Sequence, residues 1–187
     1  MAQKQANQDI VLMVGSFIRI LQDAAKIGNA NTLIPLSNEI GMLKEYAVIQ
    51  SYRYLEIFTF TCDLDDRTLN SLVPRYLIQP FVENAIFHGI CPKDEKGTIR
   101  VISSINDEQL KITIEDDGVG MNAAQLEDIW EKSDHIQGSG LRHIGMSNTK
   151  KRLDQLFGGK ATIEIESKLG QGTTVTILLP LQDQVEI

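Results

Sequence analysis

Two runs of strand-forming residues, Thr98 to Ile105 and Leu110 to Glu115, lie so close together that Asn106-Asp107-Glu108-Gln109 can join them only as a hairpin loop. Within the second run, Lys111-Ile112-Thr113-Ile114-Glu115 alternates polar and apolar residues. That is the pattern of a strand with one face buried and the other in water. Further strands are expected where Phe58, Thr59, Phe60 and Thr61 fall within Tyr54 to Cys62, and over Ala161 to Ser167 and Thr173 to Leu179. The last two are joined by the turn Lys168-Leu169-Gly170-Gln171-Gly172. Helical stretches separate the other strands. A chain that mixes hairpins with helical crossovers predicts an α+β fold: a mixed sheet with helices on one face, not a doubly wound parallel sheet.

The helices follow from the period of their apolar residues. Ile10, Met13, Val14, Phe17, Ile20, Leu21 and Ala24 place one over about Gln3 to Ile27, stopped at Gly28. Asn29 to Ile34 reads as a loop. Pro35 and Leu36 open a second helix that runs to about Arg53, with Ser37 as its expected N-cap. Asp63 to Arg67 reads as a turn. Pro74 to Ile90 predicts a third helix, with Ile78, Phe81, Val82, Ala85 and Ile86 on one stripe. Asn122 to Trp130 and Met146 to Phe157 complete the set, the latter stopped by Gly158-Gly159, and Glu131 to Arg142 reads as a polar loop. Residues 1–54 are therefore read as a helical segment and 55–187 as a mixed α/β unit.

Composition narrows the function classes. A length of 187 residues with 42% hydrophobic residues suits one domain with a sizeable core plus an appendage. The net charge of −7 argues against non-specific nucleic-acid binding. It leaves room for a nucleotide, because a local pocket can be positive on an acidic protein. Two cysteines, Cys62 and Cys91, fit thiols in a reducing compartment better than a disulfide or a metal cluster. His88, His135 and His143 lack zinc spacing. No secretory signal and no membrane-length apolar run is present, so a soluble chain is expected.

Four places carry possible chemistry. In the third helix, Asn84 and His88 are four apart and share a side, with Glu83 on the neighbouring side. This amide, carboxylate and imidazole can hold a metal ion and a phosphate, or simply decorate the exposed face of an amphipathic helix. Asp116-Asp117-Gly118-Val119-Gly120 ends a strand. One carboxylate there can accept from an exocyclic amine such as adenine's, with glycines letting the backbone approach a flat ring; a solvated Asp-Gly turn is the plain alternative. Gly138-Ser139-Gly140, then His143-Ile144-Gly145-Met146, feeds a helix start and is either an anion site or a surface loop. Gly170-Gln171-Gly172-Thr173-Thr174 reads by itself as a hairpin turn. No G-x-x-x-x-G-K-[ST] phosphate loop occurs in the sequence.

Taken in order, these four elements resemble the Bergerat-type ATP-binding fold shared by histidine kinases, gyrase, a heat-shock chaperone family and mismatch-repair proteins. Pro35-Leu36-Ser37-Asn38-Glu39-Ile40, Tyr46, Ile49-Gln50, Arg53-Tyr54 and Gln79-Pro80-Phe81-Val82-Glu83-Asn84-Ala85-Ile86-Phe87-His88-Gly89 are similar to the LytS/YehU/YesM-type sensor histidine kinases. So is Gly145-Met146-Ser147-Asn148 through Arg152-Leu153, with Met for the usual Leu. The resemblance covers about Leu33 to Leu179. It implies a two-layer α/β sandwich, with residues 1–54 a remnant of the dimerisation and phosphoacceptor region and 55–187 the ATP-binding catalytic domain.

The resemblance also implies roles. Asn84 would coordinate Mg²⁺ on the ATP phosphates, and Glu83 would orient or deprotonate the attacking imidazole, or polarise a metal-bound water. Asp116 would bind the adenine amino group, supported by Thr173. Gly118 and Gly120 would shape the pocket wall. Gly138, Gly140 and Gly145 would form the phosphate-side lid, with Met146 among the nucleotide-binding residues and His88 near the phosphates. Three departures stand out: Phe87 replaces a frequent Lys, leaving His88, Lys93 or Arg142 to compensate; His143 stands where glycine is common; and Pro80 lies one turn before Asn84. The family's Pro-His-Phe-Leu-x-Asn phosphoacceptor motif does not occur. The resemblance therefore implies a C-terminal piece of a larger kinase. Its γ-phosphoryl acceptor histidine would lie elsewhere, its partner would be a response regulator, and the full-length protein would be a homodimer held in a bacterial membrane by its N-terminal part, with this domain on the cytoplasmic side. Two other classes stay open: a non-catalytic ATP-binding regulatory module, and a dimerisation piece using the apolar face of residues 10–24.

Overall fold

The computed structural model describes residues 32–131 and 144–181. The helix expected over Gln3 to Ile27 and the loop carrying Gly138 and Gly140 lie outside the described residues. A short strand β1 (Leu33–Pro35) leads into helix α1 (Leu36–Arg53), then β2 (Phe58–Leu64), a 3₁₀ turn (Asp66–Thr68) and β3 (Leu72–Pro74). Helix α2 (Gln79–Asn84) continues directly into a π-helical turn (Ala85–Ile90). The chain ends β4 (Gly97–Asn106), β5 (Gln109–Asp116), α3 (Ala123–Glu131), α4 (Ile144–Phe157), β6 (Thr162–Lys168) and β7 (Gly172–Pro180).

Five strands form one sheet in the order β2-β4-β5-β7-β6, and β1 pairs with β3 separately. Strand β2 runs parallel to β4; the other pairings in the sheet are antiparallel. The β4–β5 hairpin turns through Asp107 and Glu108, both at positive φ (47° and 61°), the backbone that a two-residue hairpin requires. One face of the sheet is buried, with Ile99, Val101, Ile112, Ile114, Val175 and Ile177 beneath the helices. The opposite face carries Thr61, Arg100, Glu115, Thr174 and Glu166 side by side in register. This is the two-layer α+β arrangement with helices on one face.

Helix α1 buries Leu36, Ile40, Leu43 and Ala47, which share one core with the sheet and α2. The division expected after residue 54 falls just past the end of this helix, yet the helix itself packs as part of the same unit. Ser37 is not its N-cap: Pro35 holds that place and no side chain caps it. The β1–β3 ladder instead brings carbonyls to the helix start. Leu36 N–H donates to Ser71 O (2.9 Å) and Ser37 N–H to Leu69 O (3.0 Å), so a side-chain cap has nothing left to satisfy.

Boundaries moved where long-range pairing outweighed local signals. Leu33–Pro35 is a strand where a loop to Ile34 and a helix start at Pro35 were expected, because Leu33, Ile34 and Pro35 pair with Pro74, Val73 and Leu72. Strand β2 starts at Phe58 with the strand-forming residues but runs on through Asp63 and Leu64, inside the expected turn, because these pair with Ile102 and Ser103. The third helix begins at Gln79 rather than Pro74, since Pro74 belongs to β3 and Tyr76 adopts φ 58°. Both cysteines are free and half-buried.

Candidate functional site

A cavity of about 440 Å³ opens between the sheet and the helices, a size suited to a small-molecule ligand. Its floor is the end of the sheet. In register across the strands, Asp116 pairs with Thr173, and Thr173 with Ser167. These polar residues occupy the row next to the apolar pair Ile114 and Val175, so a polar ledge sits at the rim of a greasy floor. Asp116, Thr173, Ile114, Val175 and Ile165 all line the cavity. Helix α2 and its π-turn form one wall with Phe81, Asn84, Ala85, His88 and Gly89. Val119, Gly120, Met121 and Gln125 come from the loop after β5 and from α3, and Met146 from α4.

The ledge is built by hydrogen bonds. Asp116 Oδ1 accepts from Gly118 N–H at 2.9 Å. Burial pushes its carboxyl up to about 6 from 3.8, opposed by the N–H groups of Gly118 and Thr173. Ser167 Oγ donates to Gly172 O at 2.9 Å and accepts from Met121 N–H at 2.9 Å. Its single proton being used, the 2.9 Å contact between the Ser167 and Thr173 hydroxyls has Thr173 as donor. Thr173 therefore keeps its oxygen lone pairs for a ligand or water. Two acceptors, a carboxylate and a hydroxyl oxygen, then meet at one end of the cavity. Such a pair attracts an amino group and repels a carbonyl.

The glycines there are needed for close approach. A Cβ on Gly118 would fall 2.3 Å from the Gly89 carbonyl carbon, and Val119 N–H donates to Gly89 O at 2.9 Å. A Cβ on Gly89 would come 2.8 Å from Asp116 Oδ1. The π-turn is thus clamped onto the strand end. Its widened coil, with Cys91 N–H donating to Ile86 O (2.8 Å), seats Gly89 against Asp116. Gly120 adopts φ 62° beside Lys168 O.

The expected site residues divide into three groups. Asn84, His88, Asp116, Gly120, Met146 and Thr173 meet around the cavity, with Gly118 behind its wall. Glu83 is not among the lining residues: its Oε1 accepts from Gln79 Nε2 at 2.9 Å, and it bonds the Tyr46 hydroxyl of α1, whose ionisation it opposes. Gly145 falls in the first turn of α4, while Gly138, Gly140, Arg142 and His143 lie outside the described residues. Phe87 turns away from the cavity, its ring edge-on to Tyr54 at 5.7 Å. Lys93 is engaged at the strand end, with Nζ donating to Asp117 O at 2.9 Å. Ser167, Gln125 and Gly89 were not foreseen. Ser167 sits in an alternating strand with no local signal, and its role arises from register alone. Gly89 did carry one, as a glycine directly after the helix's His88.

Residues 70–183 match the family of histidine kinase-, DNA gyrase B- and HSP90-like ATPases. This chain belongs to that family, and within it resembles the catalytic domains of sensor histidine kinases. The sensor histidine kinase YesM of Bacillus subtilis is 29% identical over 185 residues, covering 99% of this chain and 30% of that protein. The sensor protein LytS of Staphylococcus epidermidis is 31% identical over 160 residues, covering 85% of this chain and 26% of the relative. The chain thus spans under a third of the length of these relatives. The histidine kinase domain of the Erythrobacter litoralis EL346 blue-light-activated kinase superposes with a TM-score of 0.57 at 22% identity, over 92% of this chain and 75% of that one.

Proposed function

We propose that this chain is the catalytic ATP-binding part of a two-component sensor histidine kinase, transferring the γ-phosphoryl group to a histidine outside these 187 residues. The observation that carries the reading is the paired acceptor ledge of Asp116 and Thr173, facing Asn84 and His88 across one cavity. The ledge suits the adenine amino group, and the apolar floor suits the ring. Asn84 and His88 lie on the wall where phosphates would run. Among the described residues no group of three His, Cys, Asp or Glu side chains could hold a metal. Mg²⁺ would rest on Asn84 together with phosphate oxygens and water, as this ion commonly does. When bound it would neutralise charge developing on the phosphates.

Glu83 is the residue next to the metal position and would orient or deprotonate the attacking imidazole. That role requires it to exchange its Gln79 and Tyr46 contacts for the substrate. In the transfer the γ P–O bond breaks, a P–N bond forms, ADP leaves and the imidazole proton passes to the base. The held position of Glu83 also favours a second reading, a module that binds ATP without turnover. Acid-labile, base-stable phosphate on a histidine peptide or on the full-length protein separates the two. A response regulator would take the phosphoryl group onward, and the full-length protein would act as a homodimer. No helix among the described residues is long and apolar enough to cross a membrane, and membrane anchoring would fall to other parts of the protein.

Two outcomes test the site directly. Asn84→Ala is expected to weaken ATP binding about tenfold with Mg²⁺ present and to leave adenosine binding unchanged, by calorimetric titration. Equal loss for both ligands would remove the metal role. Adenosine affinity is also expected to fall as pH drops below about 6, where Asp116 takes up its proton, loses its charge and accepts more weakly. A flat profile between pH 7 and 5 would refute the adenine role.

A further inference from the structure

Glu39 of α1 is 1% exposed, the most deeply buried carboxylate among the described residues. Its Oε2 accepts from Tyr76 N–H at 2.8 Å and its Oε1 from Ile78 N–H at 3.1 Å. Both donors belong to the turn that starts helix α2, and Ile78 is the N-cap of that helix, which has no side-chain cap of its own. A carboxylate from 39 positions away in sequence therefore does the work of a cap. Burial pushes the Glu39 carboxyl up, opposed by the N–H groups of Ile78 and Tyr76 and then by the Arg152 charge of α4, whose Nη2 reaches Tyr76 O at 3.4 Å. One buried carboxyl and the guanidinium beside the same turn thus link α1, the turn that launches α2, and α4. Two of these elements feed the cavity, α2 through Asn84 and α4 through Met146.

The contact continues along α1 and just past its end. Tyr46 bonds Glu83, and Tyr54, the residue that caps α1, meets Phe87. The step of seven residues from Glu39 to Tyr46 returns to the same face of the helix after two turns. Helix α1 and its capping residue therefore run alongside α2 and its π-turn in the same direction, touching the turn before α2, then Glu83, then Phe87.

We propose that Glu39, with Arg152 on the same turn, is a positioning residue of the nucleotide site: it fixes the start of α2 and so sets Asn84 against the Asp116–Thr173 ledge. The inference rests on the ATP reading given above. Replacing the carboxylate leaves the ledge intact but lets the Asn84 helix shift, so the phosphate end suffers while the adenine end does not.

The test is titration of the 187-residue chain with Mg-ATP and with adenosine, alongside melting curves, for wild type, Glu39→Gln, Arg152→Lys and Leu110→Ala. Leu110 lies at the far end of β5 from Asp116 and serves as a control for plain loss of stability. Glu39→Gln is expected to weaken Mg-ATP about tenfold with adenosine affinity held within about twofold. Arg152→Lys should shift in the same direction by less, and it carries the test if Glu39→Gln does not fold. Leu110→Ala should melt earlier and bind both ligands as wild type does. Wild-type Mg-ATP affinity in the Glu39 and Arg152 variants, or equal loss for both ligands, overturns the positioning role. Wild type binding neither ligand overturns the ATP reading and this inference with it.

Discussion

Asp116→Asn is expected to weaken adenosine and ATP binding by at least about tenfold, and at the same time to raise the melting temperature of the ligand-free chain at pH 8. The two effects have one cause. The carboxylate is half-hidden at the rim of an apolar floor, and burial holds it at about 6 instead of 3.8. Below pH 3.8 both the folded and unfolded chains carry the proton, and Asp116 costs nothing. Between 3.8 and about 6 the unfolded chain releases it while the folded chain retains it, so stability falls as pH rises. Above about 6 both are ionised and the folded state bears the whole burial cost. That cost is at most about 3 kcal/mol. An amide replaces the charge but gives back some of the N–H···O⁻ bonding from Gly118 and Thr173, leaving a gain of about 1–2 kcal/mol, or about 5 °C. At pH 4 the gain should nearly vanish. Asp116→Ala should abolish detectable binding without that gain, since it orphans both N–H donors. A variant that binds normally, or that melts earlier at pH 8 than at pH 4 relative to wild type, would contradict this account of the ledge.

What the sequence disclosed and what it hid follow from the range of the interactions. The hairpin of β4 and β5 was legible because alternation and a short loop are local. So were α1 and α4, whose apolar stripes need no partner to be recognised. The helix start at Gln79 was not, because Pro74 is drawn into a ladder with Leu33 and the next N–H groups are taken by Glu39, both distant in the chain. The Ser37 cap failed for the same reason: backbone carbonyls of residues 69 and 71 reached the helix first. At the site, Asp116 stood out as an acid between a strand and two glycines. Ser167 had no such marker, and it matters only because β6 and β7 pair in one register. Glu83 was legible as a residue beside Asn84, but the side chain it meets, Tyr46, comes from α1. The neighbours that decide its orientation are set by packing, which no local pattern encodes.

The same distinction gives the sharpest test of the fold, in a loop that reads as an ordinary hairpin turn. Gly170 and Gly172 both adopt positive φ, 75° and 86°. A Cβ on Gly170 would meet nothing within 4 Å, whereas one on Gly172 would fall 1.9 Å from Asp116 O and 2.8 Å from its carbonyl carbon. Gly170→Ala therefore carries the left-handed backbone cost alone, about 1 kcal/mol, or roughly 3 °C of melting temperature. Gly172→Ala adds a collision with backbone that cannot rotate away, because Asp116 is fixed between β4 and β7. The strand end must move, at a total cost of about 4 kcal/mol or more, near 10 °C. Since the displaced atoms carry the ledge, adenosine affinity should fall in the Gly172 variant and stay at the wild-type level in the Gly170 variant. Paired melting and titration of the two variants decide the matter. Equal melting temperatures would mean that β7 does not press against Asp116 in this way, and the two-acceptor geometry built on that contact would go with it.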